Sequence, residues 1–275
     1  MTKYRLELKK FHEVVFNRSD PGIPVRPRIG DQEIPLRERF VVPELYAAIG
    51  PDVRPREPAG EDSPRVTAPK VQGGEGSPSP PIPIQQIRIR SGADRWIAQA
   101  RRSVILGSPG SGKSALLRVL AIELLSEEPI LSETAARWGL LLPVWIPFSY
   151  WTDLNRKRGS PVALSDCLHS WFAQFDQNHV WLLVEAMEDE RLLLLVDGLD
   201  EWTDKAAART TSHILQTYIE VRNLPAVLVS RPHGFERASI QGPEWQIGDL
   251  VPLSFLQQRA LLCKWLGFHR SRTDS

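Results

Sequence analysis

From residue 103 onward the chain repeats one pattern: a short unbroken apolar run, then a longer stretch whose apolar residues recur every three or four positions. The runs SVILG (103–107), LLLPVWIPF (140–148), RLLLLVD (191–197) and PAVLVS (225–230) lack the polar alternation of a strand with one wet face. They predict buried parallel strands. Between them, SALLRVLAIELLSEE (114–128), VALSDCLHSWFAQF (162–175), HVWLLVEAMEDE (179–190) and AAARTTSHILQTYIEVRN (206–223) read as helices, the last with Leu215, Tyr218 and Ile219 on one face. Strands alternating with helices predict an α/β domain over residues 85–250, a parallel sheet between two helical layers. Beyond it, FLQQRALLCKWL (255–266) reads as a helix whose start carries a capping-box pair, Ser254 and Gln257, and whose end is Gly267.

Upstream the pattern fades. Residues 1–50 mix short apolar runs such as FHEVVF and FVVPELYAAI with charges and predict at most a small N-terminal element. Residues 51–84 change character: nine prolines and four glycines fall between Pro51 and Pro83 among charged and small residues. Such a segment buries too little apolar surface to offset its ordering entropy, which predicts a flexible, disordered linker. An SH3-type proline ligand is the other reading of the same residues.

Composition narrows the class. At 42% hydrophobic residues the chain has material for a real core, and a formal net charge of +1 supplies no field for nucleic acid or an anionic membrane. The one basic run, Arg156-Lys157-Arg158, reads as a solvated loop. The nine tryptophans lie mostly inside apolar runs, so core packing is expected over base stacking. Two cysteines and six scattered histidines make no disulfide framework or zinc pattern. MTKYRLELKK lacks the apolar core of a signal peptide and no segment is long enough to span a bilayer, so the expectation is a cytoplasmic protein.

The chemistry begins at the end of the first buried strand. GSPGSGKS, residues Gly107, Ser108, Pro109, Gly110, Ser111, Gly112, Lys113 and Ser114, fits G-x-x-x-x-G-K-[ST] in the strand, loop, helix setting that motif needs. Glycines let backbone N–H groups curl round a phosphate, and the following helix aims its positive end at it. Lys113 would reach the β- and γ-phosphates of a nucleoside triphosphate, and Ser114 would ligate Mg²⁺. A partner for that metal is expected where a neighbouring buried strand ends in an aspartate, and Asp197 closes RLLLLVD. The next position, where many ATPases carry a catalytic glutamate, is Gly198, and the acids are displaced to Asp200 and Glu201. Either one of these orients the attacking water, or both are solvated turn residues. The fourth strand ends in Ser230 and Arg231, on the edge where ligands of open α/β sheets bind, and Arg231 there can stabilise or report γ-phosphate charge.

GSPGSGKSALLRVLA, LPVWIPFS, LLLLVDGLDEW, LVSRPHG and VPLSFLQQRALLCKWLG, in that order over roughly residues 86–266, resemble the NACHT nucleoside triphosphatases of the signal-transducing (STAND) P-loop class. Gly198-Leu199-Asp200-Glu201 reproduces the family's small residue followed by an h-D-E triplet. The resemblance implies a three-layer P-loop NTPase fold and an ATP- and Mg²⁺-binding switch with slow hydrolysis, self-associating through the NTPase domain in signalling or defence. It implies that Lys113 and Ser114 bind phosphate and Mg²⁺, Asp197 holds Mg²⁺, Asp200 with Glu201 supports hydrolysis, and Arg231 senses the γ-phosphate. The sequence departs from the family after residue 250: it stops at FHRSRTDS, so residues 251–275 are read as the start of a truncated helical region without winged helix or sensor array. The last helix, with Leu261, Leu262, Trp265 and Leu266, either folds back on the NTPase domain or marks a fragment. Two alternatives stay open: a nucleotide-binding interaction module without turnover, recruiting a protein through residues 1–50 or the proline-rich segment, and an AAA+-like motor, against which Gly198 and the near-zero charge argue.

Overall fold

The computed structural model describes residues 2–18, 28–29, 32–33, 35–48, 88–174, 187, 191–238, 240 and 242–265. The linker expected over 51–84 and, Met187 apart, the helix expected over 179–190 lie outside the described residues.

The described residues of 1–50 do not stand apart from the domain. Helix α1 (Thr2–Arg18) buries Leu8, Phe11, His12, Val15 and Phe16, a face with helical spacing. After a two-residue ladder of β1 (Arg28–Ile29) and β2 (Gln32–Glu33) come a single helical turn, α2 (Leu36–Arg39), and strand β3 (Glu44–Ala48). Strand β3 pairs antiparallel with β4 (Arg88–Gly92), Ala48 opposite Arg88, and so joins the main sheet from one edge. The expected boundary at residue 50 therefore does not divide the packed structure. Its FVVPELYAAI run had the right composition but none of the buried continuity of the inner strands, because β3 and β4 lie at the sheet margin.

Helix α3 (Ala93–Gln99) leads into β5 (Arg102–Leu106), followed by α4 (Lys113–Glu123), α5 (Ser132–Trp138), β6 (Leu142–Pro147), α6 (Phe148–Arg158), α7 (Leu164–Ala173) and β7 (Leu192–Asp197). Then come α8 (Lys205–Val221), β8 (Ala226–Ser230), α9 (Pro232–Ala238), β9 (Trp245–Leu250) and α10 (Phe255–Trp265). Every residue of β5, β7 and β8 is buried, which requires cover on both faces of the sheet. This is a three-layer α/β fold whose seven strands run in the order β4-β3-β9-β5-β8-β7-β6, with the last five parallel. Strand β9, WQIGDL, escapes the sequence reading because its pattern alternates instead of running apolar. The register sets Leu106 opposite both Ser230 and Asp249, and Pro147 opposite Asp197. All five C-terminal strand ends thus share one edge.

The outer parallel strand β6 is shielded by its own prolines and by α1. The His12 ring donates Nε2–H to the Pro143 carbonyl at 2.8 Å, and burial lowers the pKa of His12 to about 4, so the ring is neutral. Phe11 stacks on Phe172 of α7 with centroids 4.2 Å apart, and Phe16 meets Trp145 edge-on at 5.2 Å. Trp96, Trp138, Trp151, Trp171 and Trp245 are buried as well, in keeping with tryptophan as core. Arg156-Lys157-Arg158 is solvated but is not a loop: the three form the last turn of α6, where cations suit the negative helix end.

The capping box at α10 is realised. Ser254 N–H donates to Gln257 Oε1 at 2.9 Å, and Gln257 N–H donates back to Ser254 Oγ at 3.3 Å. The helix folds back on the N-terminal segment: Gln257 Nε2 donates to Val42 O at 3.1 Å, Lys264 Nζ donates to Phe40 O at 2.6 Å, and the Arg39 guanidinium lies 5.6 Å from the Trp265 ring centroid. None of its residues is fully buried, and Phe255, Leu256 and Leu262 face solvent.

Packing of α1 against α4, β6 and α7 makes a firm expectation. Phe11→Ala costs about 3–5 kcal/mol, read by denaturant unfolding as an earlier midpoint of one cooperative transition. A separate early transition with the main one unmoved would show that α1 folds apart from the sheet.

Candidate functional site

The loop Gly107–Gly112 leaves β5, the central strand of the seven, and turns directly into α4. Gly110 and Gly112 have φ of +76° and +91°, a left-handed curl that glycine adopts without strain. Gly112 is also the N-cap of α4, and having no side chain it leaves the first-turn N–H groups of that helix to be met by something else. Lys113 Nζ lies over the loop, donating to Gly107 O at 2.7 Å and Ser108 O at 2.9 Å. Burial lowers the Lys113 pKa, an effect reinforced by Arg231 and opposed by Asp200, Asp197 and Glu201.

One helical position further, Ser114 Oγ donates to Asp197 Oδ1 at 2.8 Å, joining α4 to the end of β7. Asp197 is only 7% exposed. Burial raises its pKa, against the hydrogen bond from Ser114 and the charges of Arg118 and Lys113. A hydroxyl and a desolvated carboxylate converging in this way are hard oxygen donors, the set that suits Mg²⁺. Both partners of the expected metal pair are therefore brought together. Arg118, which the sequence reading passed over, stands four residues after Ser114 on the same helix face, with its guanidinium 5.5 Å from the Trp145 ring centroid and 5.9 Å from that of Phe16.

Past Asp197 the chain turns sharply. Gly198 has φ +70°, and an added Cβ would lie 2.8 Å from Glu201 Cδ and Oε2. The glycine is needed twice, for the left-handed turn and for the Glu201 carboxylate that folds over it. Glu201 lines the cavity beside the loop, and partial enclosure, followed by Asp197 and Asp200, raises its pKa against the pull of Arg231 and Lys113. Asp200 does not share that position. Its carboxylate is turned toward the end of β8, where Arg231 Nε lies 3.1 Å from Oδ2 and Arg231 N–H donates to Oδ1 at 2.8 Å. The three residues expected to act on the terminal phosphate are thus split, with Glu201 at the cavity and Asp200 bound to Arg231.

The cavity measures about 920 Å³. One wall is the loop, with Ser114, Asp197 and Glu201, and the facing wall is largely apolar, made by Phe40, Val41, Leu253, Leu261 and Trp265. That facing wall comes from the N-terminal segment and α10, regions whose part in a site the sequence did not signal. Segment 35–43 is held in place from below by Arg37, whose Nε lies 2.8 Å from Glu123 Oε1 at the buried end of α4.

A parallel sheet with a glycine loop, lysine and serine at its central strand end, and an aspartate at the next strand but one, defines a P-loop nucleoside triphosphatase. The particular family follows from comparison: the NACHT domain model matches residues 101–268, more than half of the chain, and the chain belongs to the NACHT family, a family of nucleotide-binding NTPase domains. No curated protein matches it. Among the described residues no helix is long and apolar enough to cross a membrane.

The pKa directions set a stability expectation. Asp197 and Glu201 have folded-state pKa values above their unfolded ones, so their contribution is complete below the ordinary carboxylate range and is lost as pH rises through the raised values. Melting temperature in the absence of nucleotide and Mg²⁺ should therefore fall as pH rises from the ordinary carboxylate range, about pH 4, through the raised values. Asp197→Asn, which keeps an acceptor for Ser114 without the buried charge, should melt higher than wild type at neutral pH. A lower Tm for the variant would contradict the reading of Asp197 as a carboxylate whose charge is disfavoured by burial.

Proposed function

We propose that this chain binds ATP with Mg²⁺ and hydrolyses it slowly, acting as a nucleotide-dependent switch in a signalling or defence process. The observation that carries the reading is the Ser114–Asp197 hydrogen bond beside an uncapped helix start and Lys113. In this reading the Gly107–Gly112 backbone and Lys113 hold the phosphates, Ser114 and Asp197 hold Mg²⁺, and the apolar wall with Phe40 and Trp265 takes the base. Bound Mg²⁺ would neutralise charge on the phosphate oxygens.

In the same reading Glu201 orients the attacking water. It lines the cavity, and partial burial raises its pKa from the ordinary carboxylate value. Arg231 meets the terminal phosphate from the end of β8.

Calorimetry with and without Mg²⁺ tests the binding. Lys113→Ala should weaken ATP binding by about tenfold or more, and unchanged affinity would remove the phosphate-loop assignment. For hydrolysis, Glu201→Gln should lower turnover by about 10²–10⁴ while binding persists. Mg²⁺-dependent binding with no turnover in the wild type would leave a nucleotide-binding interaction module in place of the hydrolytic switch.

A further inference from the structure

Asp200 and Arg231 belong to different strand ends, yet their meeting is over-determined. Both oxygens of Asp200 are engaged: Oδ1 accepts the Arg231 backbone N–H at 2.8 Å and lies 3.3 Å from Ser230 Oγ, and Oδ2 lies 3.1 Å from Arg231 Nε. The side chain is 11% exposed, against 51% for Arg231. The first turn of α9 closes over it: a Cβ added at Gly234 would fall 1.9 Å from Asp200 Cβ and 2.8 Å from its Cα. No side chain fits there, so the glycine and the aspartate lock each other in place. A carboxylate with both oxygens committed to the neighbouring strand end is poorly disposed to take a proton from water, unlike Glu201, which opens on the cavity.

What the pair does to Arg231 is more telling. A guanidinium carries five N–H donors in a planar fork. Asp200 meets Arg231 at Nε, which restricts the plane of the fork and with it the directions open to the Nη donors. Arginine side chains lose considerable rotamer freedom when they bind an anion, and a group already held in orientation loses less. Arg231 directly follows Ser230, whose carbonyl accepts the Gly107 N–H at 3.2 Å, so it leaves β8 beside the first residue of the phosphate loop.

We propose that Asp200 is a positioning residue: it holds Arg231 by Nε so that the Nη donors face the terminal phosphate, and the pair, not Arg231 alone, sets the preference for nucleoside triphosphate over diphosphate. This rests on the nucleotide reading above. It assigns Asp200 a different task from Glu201, although the two are adjacent acids in one turn.

The test is a double-mutant cycle read by binding, with ATP and ADP dissociation constants measured by calorimetry in Mg²⁺ for wild type, Asp200→Asn, Arg231→Ala and the double variant. Each single change should reduce the ATP-to-ADP preference by about tenfold. The double variant should lose no more than Arg231→Ala alone, and ADP affinity should stay within about twofold throughout. Asp200→Glu, which keeps the charge but pushes it one methylene outward against Gly234, is the second variant should Asn prevent folding, with the same loss expected. The proposal is overturned if Asp200→Asn keeps the wild-type preference, if it weakens ATP and ADP alike, or if its effect adds in full to that of Arg231→Ala. A wild type that binds neither nucleotide overturns the nucleotide reading and this one together. A wild type that binds both, with Asp200→Asn behaving like it, leaves the nucleotide reading standing and removes only the pair.

Discussion

The hydrogen bond from Ser114 Oγ to Asp197 Oδ1 fastens the start of α4 to the end of β7, and the rest of the site is arranged around it. It works across β8, which lies between β5 and β7 in the sheet, so it depends on strand ends that finish level. That levelling comes from the parallel register, which comes in turn from runs of Leu, Ile and Val buried on both faces. Burying a carboxylate is unfavourable unless it is hydrogen-bonded or charge-matched, and here one hydroxyl and two nearby cations do part of that work. The remaining deficit is what keeps the Asp197 pKa raised.

Those parts of the fold that rest on continuous burial were legible in the sequence. Strands β5, β6, β7 and β8 begin and end within two residues of the apolar runs that predicted them, and the loop motif sits where it was expected. Strands β3 and β4 were not legible because antiparallel strands at the sheet margin carry mixed patterns that short loops imitate, and β9, though parallel to β5, carries an alternating one. The site divides along the same line. Ser114 and Asp197 were readable as a pair because motif and strand end each carry their own signal. The division of labour between Asp200 and Glu201 was not, since it is decided by the φ of Gly198 and by the closeness of Gly234, thirty-odd residues on.

The cavity is assembled from stretches remote in sequence, and this changes how residues 35–43 are to be understood. They are bonded to α4 through Arg37 and Glu123, and to α10 through Val42, Phe40 and Arg39. The segment is therefore a shared wall, and whatever fills the cavity presses on α4, α10 and the entry to β3 at once. Helix α10 in turn owes its position to a few specific contacts and not to deep burial, which makes it the wall with least resistance to movement.

The pairing of Ala48 with Arg88 has one more consequence. Because β3 and β4 are neighbours in the sheet, the chain leaves and re-enters the domain at the same place, so residues 49–87 are tethered at both ends to a single point. By loop-closure entropy, lengthening a connection between two such fixed ends costs little, about 0.6 kcal/mol for each doubling. The sheet is thus nearly indifferent to how many residues lie between these two strands, and that stretch of sequence can drift, grow or acquire recognition motifs while the nucleotide-binding architecture below it stays the same.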